Sequence, residues 1–348
     1  MTGTRRLNPG IAAALAAAML FGLSTPLAKA LLGTVSPWML AGLLYLGSGI
    51  ALAVWRLAHH QHGGHLARGE VWPLLGAIGF GGVLAPVLLM VGLTGMPASG
   101  ASLLLNAEAV FTVLIAWLVF HEHVNRRTMV GFALILAGVL VLTWPRQASF
   151  GGLWPALALL GASLCWALDN NLTRGVTSAE ATWLAMVKGL VAGSVNLTVA
   201  LLLGSTLPNP GILVGALLLG AICYGLSLVL FIIGLRAVGT ARAGAYFSVA
   251  PFFGAVLAVA MGEPLTWLLA LAGVLMGGGV WLHLSERHGH VHRHEAVTHT
   301  HQHTHDAHHT HEHDEQLPPG ASHTHVHTHE VLVHEHEHFP DEHHRHRH

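Results

Sequence analysis

The chain has 348 residues, of which 53% are hydrophobic and only 9% charged, with a formal net charge of −1. This composition excludes a water-soluble helical fold, whose helices need polar faces. It also excludes a nucleic-acid partner held by a basic surface. The two cysteines, Cys165 and Cys223, both lie inside apolar runs, which excludes a disulfide framework or a thiolate metal site.

In chain order, Arg5 and Arg6 precede an apolar stretch that continues to Leu32. It is too long for the apolar core of a cleaved leader and reads as a first membrane span. From there to Leu284, apolar runs of about 20 residues recur, the length that crosses a ~30 Å hydrocarbon layer as a helix. Backbone groups in lipid must be satisfied internally, so repeated runs of this length mean a helical bundle. The runs predict ten helices, over 9–32, 36–57, 71–93, 97–120, 128–144, 152–173, 180–203, 211–235, 240–261 and 264–284. Proline and glycine mark the breaks, as at Ser36-Pro37, Met96-Pro97, Pro208-Asn209-Pro210 and Gly262-Glu263-Pro264.

Ten spans put both ends of the chain on one side. One set of breaks carries Arg5, Arg6, Arg56, Arg68, Arg126, Arg127, Arg174, Arg236 and Arg242, and the other only Arg146. Basic residues stay in the cytoplasm, so the chain is expected in the cell's inner (plasma) membrane, multi-pass, with both termini cytoplasmic. His59, His60, His62, His65, His121 and His123 fall on the same side.

The two halves repeat. Residues 91–122 align with 233–263 with one gap, and Phe21 to Lys29 aligns with Trp166 to Arg174. Five spans in each half invert the second copy relative to the first, a plan that recurs in secondary transporters. The expected organisation is an all-α membrane protein of two inverted five-helix repeats, 1–145 and 146–285, followed by a cytoplasmic tail over 286–348.

The stretches Ala101 to Glu122 and Ala243 to Glu263, with Pro251 in the second, resemble the drug/metabolite transporter superfamily, specifically its EamA-like members. The resemblance covers residues 9–284. The first copy departs from it, with Glu108-Ala109 where the second has the proline. The resemblance implies export of amino acids, drugs or other small metabolites, without naming the cargo.

Ionisable groups within membrane helices are costly and are functional candidates by default. Glu108 falls near mid-depth of the fourth helix, with Asn106 close by. Asp169 lies in the sixth helix beside Asn170 and Asn171, and Lys188 lies in the seventh. A rise of ~1.5 Å per residue puts Asp169 and Lys188 at similar depth. They suit either a gate or a fixed ion pair, and Glu108 suits a carboxylate that loads and releases a proton or cation. Tyr45, Trp166, Tyr224 and Tyr246 are candidate cavity aromatics. Lys29 reads as a side chain snorkelling to the interface, and Glu122 and Glu263 read as helix caps or loop anchors. The expected substrate or proton pathway is Asn106, Glu108, Asp169, Asn170, Lys188 and Tyr246.

The last 61 residues hold 23 of the 30 histidines. Imidazole suits zinc, nickel, cobalt and copper, and alternate residues of an extended segment share a side. The candidate ligands are His299, His301, His303, His305, His311, His313, His323, His325, His327, His329, His334, His336 and His338. Interleaved carboxylates such as Glu335 and Glu337 are candidate oxygen ligands. With so few apolar residues the tail has no core and is expected to be disordered without metal. No cofactor is required, and Zn2+, Ni2+, Co2+ or Cu2+ is the ion expected on the tail.

These features point to a secondary transporter exporting a small organic metabolite by alternating access, with divalent metal bound by the tail. Efflux of a divalent transition metal (zinc, nickel or cobalt) and a membrane-anchored metal sensor or buffer are the alternatives. Expected partners are the bilayer and a small-molecule or metal substrate; a homodimer is compatible. No nucleophile–base set or phosphate loop supports an enzyme.

Overall fold

The computed structural model describes residues 9–60, 66–120, 126–143, 153–176, 178–238 and 240–284, and the backbone of four strands after them. The chain divides into two units, Met1–Ser285 and Glu286–His348.

Among the described residues the first unit is helical, in ten columns. Helix 1 is Pro9–Leu31, helix 2 Pro37–Ala58 and helix 3 Arg68–Gly95. Helix 4 is broken into Ala98–Leu104 and Ala107–Phe120. Helix 5 is Arg126–Thr143, helix 6 Trp154–Thr173 and helix 7 Ala181–Leu202. Helix 8 runs through Pro210–Gly220, Ala221–Leu226 and Ser227–Val238. Helix 9 is broken into Thr240–Phe247 and Ala250–Ala260, and helix 10 is Trp267–Leu284.

The ends of these helices follow local chemistry. Pro37 starts helix 2 and the Ser36 hydroxyl accepts from the Met39 amide at 3.4 Å; Pro210 starts helix 8 and Asn209 Oδ1 accepts from Ile212 at 3.0 Å. Helices 7 and 9 stop at left-handed glycines, Gly204 (φ 84°) and Gly262 (φ 105°). After each, the next amide returns to a carbonyl of the last turn, Ser205 to Ala200 at 2.9 Å and Glu263 to Ala258 at 3.1 Å.

Small residues set the packing. Helix 7 carries Gly189-Leu190-Val191-Ala192-Gly193, the spacing that lets two backbones approach in lipid. A Cβ on Gly189 would meet the Gly49 backbone at 2.8 Å, and one on Gly42 would meet the Leu197 amide at 2.7 Å, so helices 2 and 7 touch main chain to main chain. Helices 5 and 10 pack together, as do 4 and 9. Helix 1 packs on 8 and 9, and helix 6 on 3 and 4. Adding five to each helix number maps this set of contacts onto itself, as a duplicated five-helix unit requires.

Two further irregularities repeat in the same way. Helix 3 widens to a π-helix over Ile78–Leu84 and helix 8 over Ala221–Leu226. The breaks in helices 4 and 9 also fall at aligned positions of the two halves. Large apolar side chains face outward along the bundle, among them Leu57, Leu202 and Val274. Trp72, Trp154 and Trp267 are exposed near helix starts, where amphipathic rings suit the lipid–water boundary.

In the second unit, β1 (His288–His294) pairs antiparallel with β4 (Leu332–His338), and β2 (Val297–His303) with β3 (His323–His329). Strict alternation has the period of a strand, and the residues between the histidines include several β-favouring Thr and Val.

Candidate functional site

Glu108, Asp169, Asn170 and Lys188 meet where the two halves face each other. Helix 6 ends in Asp169-Asn170-Asn171-Leu172-Thr173, so Asp169 and Asn170 lie within its last turn and a half. Lys188 sits two turns into helix 7. Its ammonium meets both oxygens of Asp169, at 2.5 and 2.6 Å, and the Thr173 hydroxyl donates to Asp169 Oδ1 at 2.9 Å. Both side chains are mostly covered, 9% exposed for Asp169 and 18% for Lys188. Beside them Asn170 Nδ2 donates to Glu108 Oε1 at 2.8 Å. Glu108 lies in the first turn of the second segment of helix 4, just past the break, where a helix N-terminus favours a carboxylate. The group therefore joins helix 4 of the first half to helices 6 and 7 of the second.

The π-helix of helix 3 closes one wall. A π turn leaves main-chain carbonyls without regular partners, and side chains take them up here. Gly81 O accepts from the Tyr45 hydroxyl at 2.8 Å and from Trp166 Nε1 at 3.0 Å. Asn196 Nδ2 lies 3.3 Å from Gly82 O. A Cβ on Gly81 would collide with the Asp169 carboxylate, so the glycine makes room for the ion pair. On the other side of Tyr45 a row of rings continues. Tyr45 and Tyr224 centroids are 5.8 Å apart, Phe21 meets Tyr224 edge-on at 5.5 Å, and Phe247 follows at 5.4 Å from Phe21.

The structure thus brings Glu108, Asp169, Asn170 and Lys188 together. Asn106 is apart from them: it is buried in the break of helix 4, and its amide donates to Leu103 O at 2.9 Å, a local bond that satisfies the turn. Tyr246 is half-buried in helix 9 and joins none of these contacts. Among the residues whose side chains are described, no group of three or more His, Cys, Asp and Glu stands at metal-ligand spacing. His305, His311 and His313 lie outside the described residues, and the other candidate tail ligands fall on β2, β3 and β4.

Two clusters at the bundle ends carry roles that sequence reasoning missed or misread. Lys29 does not snorkel. Its ammonium donates to Leu93 O at 2.8 Å and Met96 O at 2.6 Å, capping the end of helix 3, because a cation is favoured where helix carbonyls lack partners. Glu263, held by the Gly262 turn, accepts from the Ala98 and Ser99 amides at 2.7 and 2.8 Å, capping the start of helix 4 from across the bundle. Burial pushes its carboxyl up, but the Ser99 and Ala98 hydrogen bonds and the Lys29 charge outweigh that and hold it below the usual glutamate range. At the opposite end Arg56, 5% exposed, donates to Glu180 at 2.8 Å and to Thr182 at 2.6 Å. Glu70 accepts from the Ser178 amide at 3.1 Å and from the Ala67 amide at 3.2 Å, and also meets the Ser178 hydroxyl. Arg56 carried only a topological signal in the sequence, and nothing local marks its distant partner.

Comparison with known proteins decides the family. The family model for the EamA-like transporter family matches twice, over residues 8–144 and 153–285. The chain belongs to the EamA-like transporter family. It is 28% identical over 294 residues to an uncharacterized transporter of Methanothermobacter thermautotrophicus, covering 78% of this chain and 85% of the relative. It is 38% identical over 86 residues to a probable amino-acid metabolite efflux pump of Salmonella typhimurium, covering 24% of this chain and 28% of that one. A solved crystal structure shares the fold with a TM-score of 0.60 at 20% identity, covering 78% of this chain and 95% of the other. As an EamA-like protein the chain is a multi-pass membrane transporter, and the family is one of transporters rather than enzymes.

Proposed function

We propose that this EamA-like protein exports a small organic metabolite from the cytoplasm by alternating access between its two halves. It sits in the inner (plasma) membrane with both termini cytoplasmic, and its tail binds a divalent metal. The observation that carries the reading is the Glu108–Asn170 and Asp169–Lys188 group. It crosses from helix 4 to helices 6 and 7, beside a π-helix and a helix break, so that moving one half against the other remakes these bonds. Broken helices line cavities and not lipid, and transporters bind substrate between their repeats. In this reading Glu108 exchanges a proton or a substrate cation, and the Asp169–Lys188 pair opens and closes the path. A probable amino-acid metabolite efflux pump among the relatives supports an organic cargo. Efflux of zinc, nickel or cobalt is the second reading, favoured by the loop and tail histidines that fall on one side of the membrane in the sequence.

The test uses everted membrane vesicles carrying the intact chain, a chain truncated after Arg287, or Glu108→Gln. Uptake of labelled amino-acid mixtures and of zinc, nickel, cobalt and copper is measured with and without a proton gradient. The expected outcome is gradient-dependent uptake of an organic solute by the intact and truncated chains. Glu108→Gln should lower that uptake at least about tenfold, about 1.4 kcal/mol of lost transition-state stabilisation. Zinc uptake that Glu108→Gln abolishes would make the metal the cargo. No uptake beyond zinc held by the tail would leave a sensor or buffer.

A further inference from the structure

Within the group that joins helices 4, 6 and 7, Asp169 and Lys188 neutralise each other, with both carboxylate oxygens on the ammonium at 2.5 and 2.6 Å. Glu108 has a different balance. Its Oε1 accepts from Asn170 Nδ2 at 2.8 Å, a neutral donor. Only the nitrogen of an amide donates to a carboxylate, so this bond leaves Asn170 Oδ1 as the other arm, an acceptor. Among the described residues neither Glu108 Oε2 nor Asn170 Oδ1 has a donor. One position along helix 6, Asn171 Oδ1 is buried and also lacks one, while its nitrogen donates to Thr112 O and Ala167 O.

The described charged groups that act on Glu108 are Asp169 and Lys188, which cancel. With Glu108 ionised, the group therefore carries one unbalanced negative charge and an excess of acceptors. Ionised groups within a membrane are paired with opposite charge. One positive charge balances this site, which a divalent ion would overshoot. An ammonium brings donors and no acceptor, the complement of Glu108 Oε2 and Asn170 Oδ1. A carboxylate on the cargo would find the reverse, because Lys188 is already held by both oxygens of Asp169. The neighbouring wall is aromatic. Tyr45 lies within electrostatic reach of Asp169 and Glu108, and its ring starts the row that runs through Tyr224 and Phe21 to Phe247. All four are half-buried, so each keeps some accessible ring surface. Ring faces attract cations and cover apolar bodies.

We propose that the cargo is an organic monocation, a protonated amine on an aromatic or other apolar body. Its ammonium binds Glu108 and Asn170, and its body lies along Tyr45, Tyr224, Phe21 and Phe247. The inference rests on the reading that this group is the transport site and adds the chemical class of what is carried. A zwitterion such as an amino acid binds through its ammonium alone and leaves a carboxylate without a partner, so it is the weaker ligand.

The experiment is calorimetric titration of the full-length protein in detergent at neutral pH. The probes share one ring and differ in charge: phenethylamine (cation), phenylalanine (zwitterion) and hydrocinnamate (anion). Phenethylamine is expected to bind at least about tenfold more tightly than phenylalanine, the scale of one charged group left unpaired, and hydrocinnamate not at all. Glu108→Gln should weaken phenethylamine by at least about tenfold, the loss of a charge-assisted hydrogen bond, and Asn170→Leu should weaken it several-fold. The ranking of the probes on the unaltered protein needs no variant, so it decides even where a variant fails to fold. Phenylalanine or hydrocinnamate binding as tightly as phenethylamine would overturn the assignment. So would a preference for phenethylamine that survives Glu108→Gln in a folded chain. Uptake of another organic solute by everted vesicles, with none of the probes bound, would remove the amine class and leave the transport reading standing. Phenethylamine bound as expected, with no organic solute taken up by vesicles, would leave an amine-binding site and remove the transport reading.

Discussion

The two halves share a scaffold and differ in what they place at its weak points. In the first half the break in helix 4 is followed by Glu108, which meets Asn170 beside the Asp169–Lys188 pair. In the second half the break in helix 9 follows Phe247, and the residues around it are rings: Phe21, Tyr224 and Phe231. Where the first half has Glu108-Ala109, the second has Pro251. A duplicated frame has thus kept its backbone irregularities, two π-helices and two breaks, while the side chains around them diverged into a charged side and an aromatic side. The irregular backbone belongs to the frame, and the choice of what is bound belongs to the side chains. This division also explains why membership in the family leaves the cargo open.

The sharpest way to break this comparison is to unpair the charged side. Lys188→Met leaves Asp169 buried without a cation, a loss of about 3–5 kcal/mol in buried ion pairs. The expected result is a clear fall in melting temperature in detergent and no measurable export. Adding Asp169→Asn should restore most of the melting temperature, since a buried pair replaced by neutral groups is often close to neutral in stability. Export is the deciding readout. If the double variant also exports normally, the pair is a fixed structural element and the charged side loses its role in transport.

The aromatic side is tested by Phe21→Leu, which keeps an apolar side chain but removes two ring contacts. Aromatic pairs contribute about 0.5–1.5 kcal/mol each beyond their buried area. Stability should fall by about 1–2 kcal/mol, and the substrate concentration for half-maximal export should rise several-fold with the maximal rate little changed. A fall in maximal rate at unchanged half-saturation would mean that the rings serve the conformational change and do not bind the cargo.

Much of this architecture is legible in the sequence, for a physical reason. Apolar length is a local property, so the ten helices and their ends appear in the runs and in the Pro and Gly breaks. The duplication is legible because aligned residues recur. Asp169 and Lys188 could be matched because rise per residue converts position to depth. What is not legible depends on the bundle. The π-helix at Ile78–Leu84 has no period of its own, and Tyr45, Trp166 and Asn196 meet its carbonyls only once helices 2, 3, 6 and 7 are assembled. Lys29 looks like a snorkelling side chain until helix 3 ends beside it. Proximity in sequence groups Asn106 with Glu108, but at the break its amide bonds to its own backbone.

The smallest expected effect comes from a link between the end of helix 9 and the start of helix 4. Glu263, at the end of helix 9, caps the start of helix 4, so the second half fixes where the first half's broken helix begins. Its aligned counterpart Glu122 lies outside the described residues. Glu263→Gln keeps the shape and removes the charge from two amide bonds at a helix N-terminus, at a cost of about 1 kcal/mol. The sign of the pH dependence follows from its lowered pKa. A carboxylate held below its unfolded value contributes stability that is complete above the ordinary glutamate range and is lost as pH falls through the lowered value. The melting difference between the unaltered chain and Glu263→Gln should therefore be constant from pH 8 to about pH 6 and shrink as the carboxylate protonates in acid. A difference that persists after protonation would assign the effect to amide geometry and not to charge, and would make this junction a steric stop between the halves.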